Sequence, residues 1–320
     1  MMFYEENMLT KNKMNIKSVI ITVSIFMLIF MDSSYWMAIS NIFSGRIRIA
    51  LLLAIAVFTF ILNANKRINI KKIIFLNFLI ASALLCMAVR KDGSKNYIIL
   101  LSSVIIGYIF SESINFNEFI KKYNNIIHFV AIYSLVVAAI SIIYPTIILK
   151  FPIIDTRFGT VTIHNLLFSV SLNNSIYFRN YGLFWEPGAF QIFLNLALIF
   201  EMFFINTPRK SKIIVYIITI ITTFSTTGYI VLTLILISYF IRSKKIKIKW
   251  VLILIILIVL IIALFKNVIP KKYTDLVFDK LSGIFSEDEK DIKYTTLTRL
   301  NAIKYPLEEF MKSPILRSGV

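Results

Sequence analysis

Long apolar stretches alternate along the chain with short polar segments rich in lysine and asparagine. A helix of about 20 apolar residues crosses the ~30 Å hydrocarbon core of a bilayer. On that measure nine stretches read as spans: 18–38, 47–63, 73–90, 96–112, 126–145, 188–205, 212–226, 228–241 and 250–266. Spans seven and eight are short, and their boundary falls in the polar turn Ser225–Gly228. The pattern predicts an all-α protein: a polytopic transmembrane helical bundle forming a single membrane domain over residues 1–320. Two long segments interrupt the spans, 146–187 and 267–320.

The cationic residues orient the spans. Cytoplasmic loops collect Lys and Arg. With the N-terminus inside, the inner segments hold Lys11, Lys13 and Lys17; Lys66, Arg67, Lys71 and Lys72; Lys121 and Lys122; Arg209, Lys210 and Lys212; and the run Arg242–Lys249. The outer loops hold fewer, and only Arg90, Lys91 and Lys95 oppose the assignment. Both long segments are then extracytoplasmic. Lys11, Lys13 and Lys17 ahead of Val19–Met31, with Ala38-Ile39-Ser40 behind, also have the plan of a signal peptide. With eight more spans following, the stretch reads as a first span. The location expected is the cytoplasmic membrane, multi-pass.

Composition agrees: 58% of residues are hydrophobic, 16% are charged and the mean hydropathy is +0.78, well to the apolar side of a soluble domain. The formal charge of +18 would suggest nucleic acid in a soluble chain. Here the lysines sit between apolar runs, so they are topological signals and no nucleic-acid partner is expected. One cysteine, Cys86, allows no internal disulfide. Two histidines, His128 and His164, fall short of the three or four ligands of a typical zinc site, so no metal is expected.

The spans are nearly free of charge, which argues against an ion relay through the bilayer. Glu201 is the main exception, and it reads as a carboxylate snorkelling at the inner end of span six. Candidate chemistry therefore lies at span ends. One cluster is Tyr177–Gly188, which joins Arg179, Tyr181, Gly182, Phe184, Trp185, Glu186 and Pro187 just ahead of span six. Aromatic residues also suit a membrane interface, and an acid followed by Pro suits a helix start. A functional and a structural reading both stand at this point. The second cluster is Phe224–Tyr229, with Ser225, Thr227 and Gly228. It also reads as a short turn whose hydroxyls satisfy span ends. The third runs from Arg299 to Gly319 and by itself reads as a solvated basic helix and a turn.

In this order and on these sides, the three clusters resemble the O-antigen ligase and repeat-unit polymerase family over roughly residues 126–320. An Arg–Gly–Phe–Glu–Pro stretch leading into a span is matched by Arg179, Gly182, Phe184, Glu186 and Pro187. A Thr- and Ser-containing turn ending in Gly is matched by Thr223, Ser225, Thr227 and Gly228. A long outer loop opening with Arg and closing on a Pro–Gly turn is matched by Arg299, Pro314 and Gly319. Arg317 stands where relatives carry the first Gly of that turn. Relatives continue into further spans, so a C-terminally truncated chain, with 267–320 an incomplete loop, is expected.

The resemblance implies a metal-independent membrane glycosyltransferase that needs no cofactor. Its substrate is a lipid-linked oligosaccharide on undecaprenyl pyrophosphate, extended at the outer face of the membrane in surface-polysaccharide biosynthesis. Arg179 and Arg299 would clamp the departing pyrophosphate, since guanidinium binds phosphate bidentately and stays protonated. Glu186 would be the general base, with His164 behind it, or would orient Arg179. Tyr181, Gly182, Trp185, Ser225 and Thr227 would line the substrate site. Tyr181, Phe184 and Trp185 would stack on sugars or anchor the loop. Expected partners are membrane lipid, a flippase and a chain-length regulator. A ligase passing finished glycan to a terminal acceptor is the alternative. A transporter and a non-catalytic scaffold are readings from other classes.

Overall fold

The computed structural model describes residues 2–38, 45–63, 94–148, 150–154, 163–166, 169–172 and 179–243, with scattered helical positions within 74–85 and 301–311. These residues are predominantly helical. They fall into two units, residues 1–228 and 229–320. The first unit holds the helices α1 (Met2–Ser33), α2 (Tyr35–Ala38), α3 (Gly45–Asn63), α4 (Ser94–Ser113), α5 (Phe116–Ile143) and α6 (Pro145–Ile148). A three-stranded antiparallel sheet follows: β1 (Ile153–Ile154), β2 (Ile163–Asn165) and β3 (Val170–Leu172), in sequential order. Next come α7 (Pro187–Ile199), a π-helical turn (Phe200–Phe204), α8 (Lys210–Thr222) and the start of α9 (Thr226–Ser243). The boundary between the units falls inside α9, so residues 229–243 belong to the second.

The helices begin and end for local reasons. Asn115 caps α5 by accepting from the Asn117 amide at 3.1 Å, with Glu118 in the first turn, where the helix dipole favours an acid. Pro145 forbids continuation past Tyr144. Pro187 occupies the first position of α7, where its missing N–H is no loss.

Most expected spans coincide with helices, with shifted ends. α5 starts ten residues before position 126, because its first turns carry Lys121, Lys122 and three Asn yet remain in register. Span seven ends at Thr222, so the break precedes the Ser225–Gly228 turn. Two helical stretches, Phe116–Ser141 and Pro187–Phe204, are long and apolar enough to cross a membrane. The apolar stretches Ile16–Met31, Ala50–Thr59, Leu101–Ser113 and Thr226–Arg242 are shorter. Nine spans are therefore not what the described helices supply; span three is described only at scattered helical positions within 74–85, and span nine lies outside the described residues. The expected helical class stands for the described residues, with one addition, a small sheet within 146–187. Its strands are too short to leave a periodic signal. They form because a few β-branched residues pair across strands, Ile153 with His164 and Ile163 with Leu172.

α1, α3 and α4 share an apolar core of Met31, Leu52, Ile55 and Ile106. The sheet packs beneath the end of α5 through Val137, Ile148 and Leu166, and the Tyr133 hydroxyl donates to the Leu166 carbonyl at 2.9 Å. At the other end of α5, Phe116, Phe119 and Tyr123 meet Phe200 of the π turn, all three edge to face. Lys122 reaches α1 and donates to the Ser18 carbonyl, the Ser18 hydroxyl and the Thr22 hydroxyl at 2.7–3.0 Å.

Polar side chains form a layer between α5, the π turn and α8. Glu201, 1% exposed, accepts from Asn124 Nδ2 at 2.9 Å and from the Arg209 amide at 2.8 Å. Lys212 Nζ donates to Asn125 Oδ1, and the Tyr216 hydroxyl donates to the Asn124 carbonyl. The expected snorkelling of Glu201 is thus corrected. The carboxylate turns inward because two N–H donors await it there. The outer flanks are apolar instead: Phe129, Ile132 and Val136 on α5, Ile192 and Leu196 on α7, and Ile214, Ile218 and Ile221 on α8 are all well exposed.

Glu201→Ala leaves the buried Asn124 Nδ2 donor unpaired, which costs about 1–3 kcal/mol, while the Arg209 amide, on an exposed residue, can turn to solvent. Thermal unfolding of the purified protein is expected to fall accordingly. Adding Asn124→Ala should cost less than the sum of the two single losses, because the pair shares one bond.

Candidate functional site

The stretch 179–186 ahead of α7 is built against two helix ends. Residues 179–186 make one reversal, and Asn180 starts it. Its Oδ1 accepts from the Gly182 amide at 3.1 Å, the Asx turn that an Asn two residues before Gly favours. Gly182 has φ +51, and a Cβ there would stand 2.7 Å from the Phe190 ring. Only glycine meets both demands. The chain then runs beside the end of α1. The Tyr35 amide donates to the Leu183 carbonyl at 3.1 Å, the Trp185 amide donates to the Ser33 carbonyl at 3.3 Å, and Ser34 pairs with Phe184.

Arg179 and Asn180 join the same segment to the end of α8. The guanidinium donates from Nε to the Thr223 carbonyl and from Nη2 to the Phe224 carbonyl, both at 3.1 Å. Those are orphan carbonyls at the negative end of a helix, where a cation is favourable. Phe224 has φ +49, a left-handed conformation that a bulky side chain rarely adopts, and its carbonyl is one that Arg179 holds. Ser225 then caps α9, its hydroxyl accepting from the Gly228 amide at 3.4 Å.

The aromatic residues of the loop divide by burial. Phe184 is fully buried and stacks on Phe190 and Phe193, with ring centroids 5.1 and 4.7 Å away. It therefore anchors the loop. Trp185 is 41% exposed, and Tyr181 is half-buried. Burial pushes the Tyr181 phenol above its ordinary value. The Arg179 charge opposes that shift and the Glu186 charge adds to it, so both ionic groups act on this hydroxyl.

Glu186 is the N-cap residue of α7, extended, with no side-chain bond to the helix amides. A Cβ on Gly188 would lie 3.1 Å from Glu186 Oε1, so the carboxylate lies over that glycine. One turn further, Gln191 Oε1 accepts from Asn195 Nδ2 at 2.7 Å, and both are buried. A Cβ on Gly228 would stand 3.1 Å from Gln191 Cβ, so that glycine lets α9 start against α7. Thr227 is exposed. His164 is buried in β2, with Nδ1 at 3.0 Å from the Phe151 carbonyl.

Two of the three sequence clusters therefore meet. Arg179, Tyr181, Gly182, Trp185 and Glu186 lie on one reversal, and that reversal is bonded to the turn carrying Ser225, Thr227 and Gly228. Arg299, Pro314, Arg317 and Gly319 lie outside the described residues. Asn180, Ser134 and Thr222 were missed. Asn180 alone had a readable signal, its place two residues before Gly182. Among the described residues no group of His, Cys, Asp or Glu is arranged to hold a metal ion. Comparison with protein families, with curated proteins and with solved structures finds no significant match to this chain.

Gly182→Ala forces a Cβ against Phe190 in a left-handed backbone. It is expected to destabilise by about 1–3 kcal/mol, read by thermal unfolding. As pH rises past about 10, tyrosines of the unfolded chain ionise while Tyr181 stays neutral in the folded loop. Stability contributed by Tyr181 is full below that pH and is lost above it. Tyr181→Phe should therefore weaken less than the parent between about pH 9 and 11, measured as the unfolding midpoint.

Proposed function

We propose that the chain is a multi-pass protein of the cytoplasmic membrane that transfers glycan between polyprenyl-pyrophosphate carriers, extending a lipid-linked repeat-unit polymer at the outer face. The observation that carries this reading is the pair of bonds from Arg179 to the Thr223 and Phe224 carbonyls, which bring the first two family-like clusters to one end of the helices. The membrane setting is supported by the well-exposed apolar rows on α5, α7 and α8, combined with polar side chains turned inward. In water such surfaces are costly, while in lipid they face their own kind.

The reaction needs an acceptor hydroxyl to attack the anomeric carbon of the donor sugar. A new C–O bond forms, and the bond from that carbon to the pyrophosphate oxygen breaks. The electron pair leaves with the lipid pyrophosphate, and the hydroxyl proton passes to a base. Glu186 is the base in this reading, at a helix N-terminus and beside Tyr181. Negative charge grows on the departing pyrophosphate, and cations aimed at it lower the barrier. Arg179 supplies a fixed positive charge at the loop, and Arg299 is the second arginine. Trp185 offers an exposed ring for a sugar face, and Ser225 and Thr227 belong to the substrate site in this reading. Flippase and chain-length regulator are the working partners of such an enzyme.

The test is glycan chain length on a gel from a parent strain, a deletion strain and complemented strains. Deletion should collapse the ladder to single repeat units. Wild-type protein should restore it, and Glu186→Gln should fail at equal protein level. Long chains that persist on the lipid carrier without reaching an acceptor would turn the assignment to a ligase. An unchanged ladder in the deletion strain would remove the glycosyltransferase reading.

A further inference from the structure

We infer that Asn180 is a positioning residue that sets where Arg179 and the 181–186 loop stand. Four bonds converge on this one buried residue, which is 2% exposed. Its backbone N–H donates to the Thr222 carbonyl at 3.0 Å. Its Nδ2 donates to the Ser134 hydroxyl on α5 and to the Thr222 hydroxyl on α8, each at 3.0 Å. Its Oδ1 accepts from the Gly182 amide. Both amide hydrogens and the amide oxygen are used, so no other side chain of this size fills the position. Neither hydroxyl is idle. Ser134 donates onward to Ala131 O and Thr222 to Thr219 O, which leaves their lone pairs pointing at Nδ2.

The arrangement has a directional consequence. Arg179 is bonded to the turn that follows Thr222, and Asn180 is bonded to Thr222 itself. Adjacent residues thus grip consecutive carbonyls of one helix end. With Asn180 in place, the Arg179 backbone is held at a set height beside that end and its guanidinium meets the two carbonyls without searching. On the other side, the Asx turn fixes Gly182 and aims Leu183 and Trp185 at the end of α1. Asn180 bonds the Gly182 amide directly and acts on the side chains assigned to chemistry through its neighbours.

Two readouts test this, and only one rests on the glycosyltransferase reading. The first uses the full chain with Cys86→Ser and Leu183→Cys, labelled by a maleimide in purified protein. Leu183 is 2% exposed, so labelling should be slow. Asn180→Ala should speed it by about tenfold or more, since it removes buried bonds that hold the reversal. Ser134→Ala, a milder change distant in sequence, should speed it by less. The second is the rate of polymer extension in membrane vesicles for Arg179→Ala, Asn180→Ala and the double variant. If Asn180 acts through Arg179, the double variant is no slower than Arg179→Ala alone. An Asn180→Ala labelling rate equal to the parent's overturns the inference. So do single losses of rate that multiply in the double variant, which is what general destabilisation would give. Absence of polymerisation in every variant and in the parent sinks the proposed function, and the labelling result still decides the role of Asn180.

Discussion

The reversal at residues 179–186 depends on the unpaired carbonyls at the end of α8. A helix leaves its last carbonyls without partners, and buried ones must be satisfied. Here Asn180 and Arg179 satisfy those of Thr222, Thr223 and Phe224. The same bonds place Gly182 against Phe190, Phe184 in its aromatic pocket and Glu186 at the head of α7. Without that clasp the loop would keep its pairing to α1 and its Phe184 anchor but lose its tie to α8. The left-handed Phe224 is tolerated in this setting because its carbonyl is one that Arg179 holds.

Much of the helical plan was legible, because apolar runs of nearly twenty residues leave few alternatives. The starts of α3, α4 and α7 lie close to where hydrophobicity rises. The start of α5 was not legible in this way. Its first turns are polar, and they are helical because Lys122, Asn124 and Asn125 find partners on α1, the π turn and α8. Those partners lie far along the chain, and hydropathy is blind to them. Glu201 was misread for the same reason. Nothing near it in sequence announces Asn124, seventy-seven positions away. The sheet was hidden by its brevity.

The loop cluster was legible as a set of residue types, and its local half was legible as geometry. Asn180 and Gly182 are an Asx turn, and Glu186 and Pro187 are a helix start. Its remote half was not. Arg179 reads from sequence as a cation awaiting an anion, whereas its guanidinium bonds the carbonyls at a helix end. The two roles are compatible in the proposed enzyme, since a cation fixed by one set of acceptors needs no reorganisation when charge develops nearby. Phe184 could not be separated from Trp185 by type. Burial alone divides them into an anchor and an exposed ring.

The loop's partners are also divided in time. Ser33 and Tyr35 are synthesised long before residue 183, so the pairing along α1 can form as soon as the loop emerges. The acceptors of Arg179 come 44 and 45 residues after it. At a ribosomal rate of about 5–20 residues per second, the arginine waits roughly 2–9 seconds before its helix end exists. For that interval the segment is a half-tethered cationic arm, and its first electrostatic companion during biogenesis is the surrounding medium.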